Sequence, residues 1–301
     1  MRFSVWPSPM QAWDSVLALA RQAENTGWDG VWFADHFMPD ADDPRGDSLE
    51  CWAVIAALAV ALPRLRLGTL VCGNTYRHPA VLANQAAAVD NISGGRLTLG
   101  IGAGWQRNEH ERYGIAFPPT RERLERLDEA CRVIKALTTR ERVDFSGRYY
   151  SLEGAPLDPK PIQDPLPLLV GGGGEKVTLR IAAEHADAWN TWGDPGVMRH
   201  KNNVLDGHCE EVGRDPSTIA RSANAFVFLR EGRAKNDDTR ERARHGRSIV
   251  GTADELTETL LAYRDAGVDE FIVPDFHLDD ERERAEFYDR FIEEVAAPLR
   301  H

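Results

Sequence analysis

Asp35 and His36 stand side by side directly after the apolar run Gly30-Val31-Trp32-Phe33-Ala34. Histidine titrates near neutral pH, so His36 can hold or move a proton, and a neighbouring carboxylate such as Asp35 can set its tautomer or charge. The plainer reading of His36 is an interior histidine satisfied by hydrogen bonds. Gly171, Gly172, Gly173 and Gly174 follow Leu169-Val170, and a helix is expected to begin near Glu175. Backbone N–H groups without Cβ obstruction, at the positive end of a helix, suit a phosphate; the alternative is a tight turn without a ligand. The Lys-Ser/Thr of a nucleotide P-loop is missing, and so is the dinucleotide spacing. Gly100-Ile101-Gly102-Ala103-Gly104 ends a third apolar run. It fits either close helix packing or a flat ring lying against the backbone.

Other polar groups carry less. His36, Asp35, His78, Glu109 and His110 are the conventional metal candidates, but none are spaced as a metal motif, so no metal is assigned. Glu109, Glu111 and Arg112 read as a solvated helix face. Asp90 and Arg96, flanking the turn Asn91-Ile92-Ser93-Gly94-Gly95, read as a structural ion pair. No Ser/His/Asp or Cys/His arrangement has motif support, which argues against nucleophilic hydrolysis.

These groups need elements to position them. Short apolar runs at 3–6, 30–34, 65–71, 97–101, 166–170, 188–191, 221–229 and 270–273 alternate with helical patterns. Most are apolar on both faces, as parallel strands covered by helices must be. Val16, Leu19, Ala20 and Ala23 make one buried stripe with Gly27 as its stop, and Thr252-Ala253-Asp254-Glu255 opens the last core helix as a capping box, ending near Ala266-Gly267. The Ala-rich stretch 79–92 can lie close against a sheet. Eight βα units in one chain predict a closed (β/α)8 barrel, an α/β fold that spans 1–301 as a single domain. The active site of such a barrel lies at the C-terminal strand ends. That singles out Trp6, Asp35, His36, Val71, Asn74, Gly102, Ala103, Gly104, the four glycines, and Trp189. Segment 140–167, with five prolines, reads as an insertion between strands four and five, a hairpin over the mouth. The charged patch 230–247 reads as a solvated excursion.

Composition narrows the partners. The 301 residues carry 36 Lys+Arg against 48 Asp+Glu, a net charge of −12. A nucleic-acid binder or a protein docked on anionic lipid needs a basic face instead. The longest apolar run, 51–62, falls short of the ~20 residues of a membrane span. The N-terminus lacks an apolar signal core, and the four widely spaced cysteines form no Cys-x-x-Cys pair. A cytoplasmic protein acting on a small molecule is the expectation.

Six blocks in order, nearly the whole chain, resemble the luciferase-like monooxygenase superfamily and within it the F420-dependent oxidoreductases. They are Gly27-Trp28-Asp29-Gly30-Val31-Trp32-Phe33-Ala34-Asp35-His36-Phe37; Leu67-Gly68-Thr69-Leu70-Val71 with Tyr76-Arg77-His78-Pro79; Asp90-Asn91-Ile92-Ser93-Gly94-Gly95-Arg96 running on through Gly100-Ile101-Gly102-Ala103-Gly104-Trp105; Leu169-Val170 with the four glycines; Ala186-Asp187-Ala188-Trp189-Asn190; and Gly251-Thr252-Ala253-Asp254-Glu255. The resemblance implies the bacterial luciferase-like barrel, with coenzyme F420 (a deazaflavin) as cofactor and hydride exchange with a small organic substrate as the reaction. It places His36 beside the deazaflavin ring, a non-prolyl cis peptide near Leu70–Val71 behind it, Gly102, Ala103 and Gly104 at its edge, and the four glycines on the phosphate. It also implies a homodimer or higher homo-oligomer. Two positions depart from the sugar-phosphate dehydrogenases of this branch. Asp40 stands where they carry a tryptophan, and Trp105 where they carry the acidic proton donor, so glucose 6-phosphate is not the expected substrate. Glu109 is then the nearest acid for a catalytic role. The rival readings are an FMN-dependent monooxygenase of the same superfamily and a non-catalytic flavin-binding protein.

Overall fold

A computed structural model describes residues 1–230, 247–278 and 280–300. Most of the charged patch read at 230–247 therefore lies outside the described residues. The strands are β1 (Arg2–Trp6), β2 (Gly30–Phe33), β3 (Arg66–Thr69), β4 (Cys72–Gly73), β5 (Leu97–Gly102), β6 (Val143–Ser146), β7 (Ser151–Ala155), β8 (Leu168–Gly171), β9 (Ala188–Trp192), β10 (Ala220–Asn224), β11 (Phe226–Leu229), β12 (Ser248–Gly251) and β13 (Glu270–Pro274). Eight of them pair in parallel around a closed circle, β1-β2-β3-β5-β8-β9-β10-β13 and back to β1. The expected (β/α)8 barrel is the observed one.

Alternation along the strands builds two apolar layers. Phe3, Val5, Val31, Phe33, Leu67, Leu97, Leu99 and Trp189 point outward into one large core shared with the helices. Trp6, Trp32, Leu70, Leu169 and Ile272 form a separate cluster along the barrel axis. The floor of the barrel is ionic: buried Glu270 accepts from Ser4 Oγ (2.6 Å), Trp32 Nε1 (2.9 Å) and Arg66 (2.9 Å). Burial works to raise its carboxyl, but Arg66 and these donors hold it below the ordinary range. With the N-terminal end closed, the site must open at the other.

Several sequence expectations hold in detail. Gly27, at φ 86°, caps the helix Trp13–Thr26, whose buried face includes Val16, Leu19, Ala20 and Ala23. Thr252 and Glu255 form the reciprocal capping box of the helix Ala253–Asp265. The helix Pro79–Ser93 buries Leu82, Ala83, Ala86 and Ala87. Segment 140–167 carries the β6–β7 antiparallel hairpin. Its turn is held by Glu129, which accepts from the N–H groups of Arg148, Tyr149 and Tyr150. Among the described residues no helix is long and apolar enough to cross a membrane.

Others are corrected. The run 65–71 is not one strand: β3 stops at Thr69, the Leu70–Val71 peptide is cis, and β4 resumes the pairing with β5. The run 221–229 divides into β10, in the barrel, and β11, which leaves it to pair with β12. Ala253–Asp265 is not the last helix; Glu281–Arg290 follows and continues into Phe291–Ala296, which sets Phe291 against Trp28 (5.4 Å, stacked). Asp90 and Arg96 do not pair. Asp90 accepts from Gln163, whereas Arg96 donates to the carbonyls of Ser93, Leu65 and Ala59.

The crossing of β3 and β5 leaves no space at Gly100. A Cβ there would lie 1.9 Å from the Thr69 carbonyl oxygen. Thr69 Oγ1 also bonds both Gly100 backbone groups, donating to its O (2.8 Å) and accepting from its N (2.9 Å). Gly100→Ala should therefore destabilise the fold by about 3 kcal/mol or more, read by urea denaturation; an unchanged midpoint would contradict this packing.

Candidate active site

Asp35 and His36 leave the end of β2 in opposite directions, as neighbours in an extended segment must. Asp35 turns inward, is buried, and does not meet His36. Its carboxylate takes a two-pronged ion pair from Arg77 (2.6 and 2.9 Å) and a hydrogen bond from Gly73 N (3.2 Å). Burial pushes its carboxyl above the ordinary range, while Arg77 and Gly73 pull the other way. Arg77 also reaches Glu50 (2.7 Å), the N-cap of the helix Cys51–Ala61. Asp35 thus ties β2 to the segment after β4, and its role is positional.

The acid that meets His36 is Glu109. His36 Nδ1 lies 3.1 Å from Glu109 Oε2. The same oxygen accepts the Tyr76 hydroxyl, and Oε1 accepts the N–H groups of Phe37 and Met38 (3.3 Å for Met38). Burial favours the protonated form of Glu109, but His36, Tyr76 and Phe37 outweigh it and hold the carboxyl below the ordinary range. An ionised carboxylate only accepts, so His36 Nδ1 carries the proton and Nε2 is the nitrogen left for chemistry.

Glu109 is therefore not part of a solvated helix face. It is 0% exposed, whereas Glu111 and Arg112 are exposed. The short helix Arg107–Tyr113 clamps the chain after His36 at further points: Gln106 Nε2 donates to the Met38 carbonyl (2.9 Å) and Asn108 Nδ2 to that of Pro39 (2.8 Å). His110 is also buried, bonded to the Gln106 carbonyl and to Thr75 Oγ1 (2.7 Å each). His78 caps the helix Pro79–Ser93 and packs edge-on against Tyr150 (5.2 Å). The five metal candidates are thus engaged by protein groups, with His36 and Glu109 the pair among them that meets.

The remaining site residues surround the same mouth, with one exception. Val71 packs where Cβ atoms at Gly102 and Gly171 would fall, 2.9 and 2.8 Å from its methyls. Those two glycines thus make room for Val71. Gly104, at φ 79°, turns the chain beside Thr75, with Ala103 half-buried before it. Asn74 is buried and donates to the Tyr150 hydroxyl (3.2 Å). Trp6 packs against Trp192 (5.8 Å) and Phe276 (4.9 Å). Trp189 points away from the axis, fully buried in the outer core, and its indole holds the Gly172 carbonyl (2.8 Å). It supports the glycine loop and does not line the mouth.

The four glycines lead into a turn, and the helix begins at Thr178 rather than near Glu175. Lys201 Nζ donates to the Gly173 carbonyl (2.6 Å) and pairs with Glu175 (2.8 Å). The N–H groups of Gly173 and Gly174 have no partner among the described residues. Trp6 Nε1 and Asn74 Oδ1 are likewise buried without a protein partner. Free donors on a glycine loop and orphaned polar atoms at the strand ends fit an anionic ligand with a polar flat ring.

Sequence reasoning missed Tyr76 and Trp105 as members of this site. Both lie in blocks it had singled out, but their contacts join residues 33 and 69 positions apart, beyond any local pattern. Trp105 sets its ring edge-on to His36 (5.3 Å, 76°).

Together these features define a βα-barrel protein with a histidine fixed by a buried carboxylate at its mouth and, at the same rim, a glycine loop whose Gly173 and Gly174 N–H groups have no partner among the described residues. The profile of the luciferase-like monooxygenase family matches residues 1–246, and the chain belongs to that family. It is 44% identical over 221 residues to an F420-dependent glucose-6-phosphate dehydrogenase of Kineococcus radiotolerans, covering 72% of this chain and 64% of that protein. The chain thus spans less than two thirds of that relative. It is 30% identical over 222 residues to an F420-dependent hydroxymycolic acid dehydrogenase of Mycobacterium tuberculosis, covering 73% of this chain and 61% of that one. The solved structure of an F420-dependent secondary alcohol dehydrogenase with an F420-acetone adduct superposes with a TM-score of 0.83 at 21% identity, covering 98% of each chain. That last likeness concerns the fold.

Because the Glu109 carboxyl is held below its ordinary range in the folded protein, it stabilises the fold above the unfolded pKa, about 4.3, and loses that contribution as pH falls through the folded value. Glu109→Gln should cost about 2 kcal/mol at pH 7. The gap to wild type should narrow below about pH 5. Urea denaturation across pH tests this, and a gap that widens on acidification would refute it.

Proposed function

We propose that this protein is an F420-dependent oxidoreductase that exchanges a hydride with a small organic substrate at the barrel mouth. The observation that carries this reading is His36, fixed by buried Glu109, with Nε2 and the N–H groups of the glycine loop at the same rim unbonded among the described residues. Relatives bearing F420 in their names support the choice of cofactor. Bound here, F420 supplies the carbon that accepts or gives up a hydride.

The rest is done by side chains and backbone. Gly173 and Gly174 would hold the cofactor's phosphate by N–H groups, which explains how a protein of net charge −12 takes an anion. Val71, with Gly102, Ala103 and Gly104, would bound the ring, and Trp6 Nε1 and Asn74 Oδ1 offer one donor and one acceptor. His36 Nε2 takes the hydroxyl proton as a substrate C–H is oxidised, or returns it in the other direction. Glu109 acts through His36: with both oxygens occupied and no exposure, it orients the imidazole and balances its charge. Tyr150, bonded to Asn74, brings the inserted hairpin to this rim, where it would help exclude water. A cytoplasmic homodimer or higher homo-oligomer belongs to the same proposal.

Titration of the purified protein with F420 and with FMN tests the cofactor. F420 should bind, and FMN bound tightly with F420 excluded would overturn the reading. In a turnover assay His36→Ala should lower kcat by about 10²–10⁴-fold, with the F420 Kd changing by less than about threefold. An unchanged kcat would remove His36 from the mechanism.

A further inference from the structure

Trp105 is an exposed aromatic at the mouth, and its position is not that of a loose surface residue. It is 61% exposed. Yet the backbone on both sides is fixed: Arg123 donates to the Gly104 carbonyl before it, and Gln106 after it is buried and anchored to Met38. Its ring meets the imidazole of His36 edge-on at 5.3 Å. A rigid indole standing in solvent beside His36 offers a flat face on which no ring or cation lies among the described residues.

The opposite arc of the barrel, over β9, β10, β13 and β1, is aromatic as well. Trp6, Trp192, Phe226 and Phe276 touch in series, at 5.8 Å, 5.1 Å and 4.9 Å for the Trp6–Trp192, Trp192–Phe226 and Trp6–Phe276 pairs. Arg247 lies over Trp192 at 5.5 Å. Among the described residues, three cations toward the glycine loop and His36 are already committed: Arg77 to Asp35 and Glu50, Lys201 to Gly173 and Glu175, and Arg123 to Gly104 and Thr120. A phosphorylated sugar brings a dianion and a ring of hydroxyls, which need basic groups and many donors. An aromatic rim rewards flat apolar surface instead.

We infer that Trp105 is the substrate-stacking residue and that it selects a flat, apolar ketone or the corresponding secondary alcohol over a sugar phosphate. The substrate lies against the indole face with its oxygen toward His36 Nε2. This rests on the F420 reading above and extends it to the class of molecule that shares the mouth.

Ligand-observed NMR on protein saturated with F420 tests the inference without turnover. Acetophenone is the probe and glucose 6-phosphate the competitor, with wild type, Trp105→Ala and Trp105→Phe compared. Acetophenone should bind wild type, bind Trp105→Ala about tenfold or more weakly, and recover most of its affinity in Trp105→Phe. F420 affinity should be equal in all three, and glucose 6-phosphate should not displace the probe. The inference is overturned if acetophenone fails to bind, if Trp105→Ala binds it as well as wild type, or if glucose 6-phosphate displaces it. Wild type that does not bind F420 defeats the cofactor reading itself and the inference that rests on it.

Discussion

A carboxylate with no exposure must be satisfied by protein donors or it will not remain a carboxylate. Glu109 meets that condition with four: the Tyr76 hydroxyl, His36 Nδ1, and the N–H groups of Phe37 and Met38. These donors come from the chain after β2, His36 included, and from the chain after β4. One buried charge therefore sets the path of the strand-two exit and fixes which imidazole nitrogen faces the mouth. It also joins the strand-two and strand-four exits, which Asp35 and Arg77 tie together as well. Asp35 and Arg77 perform a parallel task one layer deeper.

The barrel's two ends divide the work. At the floor, Glu270 gathers Ser4, Trp32 and Arg66 into an ionic plug. At the mouth, polar atoms are left with spare capacity, and glycines leave room where the chain folds most tightly.

The architecture was largely legible in the sequence because barrel strands are short apolar runs at regular intervals and their connecting helices carry caps. The four glycines and His36 were legible as well, since local composition marks them. Asp35 misled because adjacency in sequence suggests contact, whereas alternation in an extended segment sends neighbours to opposite sides. Alternation also turned Trp189 outward. Glu109 sits beside the charged residues Glu111 and Arg112 on a short helix, so nothing local distinguishes it from them. Its burial is created by the strand-two exit, which lies 73 residues earlier and folds over it. The division of 221–229 was hidden for a related reason: β11 is as apolar as β10, and its departure from the barrel depends on β12, a partner still further along the chain.

The most direct test of the account is the protonation pattern of His36 itself, read by long-range ¹H–¹⁵N correlation NMR on histidine-labelled protein, with His36→Gln to assign the signal. The account predicts a proton on Nδ1, shifted downfield by its bond to Glu109 and losing that shift in Glu109→Gln, with Nε2 free to exchange. A neutral ring carrying its proton on Nε2, or an Nδ1 proton indifferent to Glu109→Gln, would contradict it.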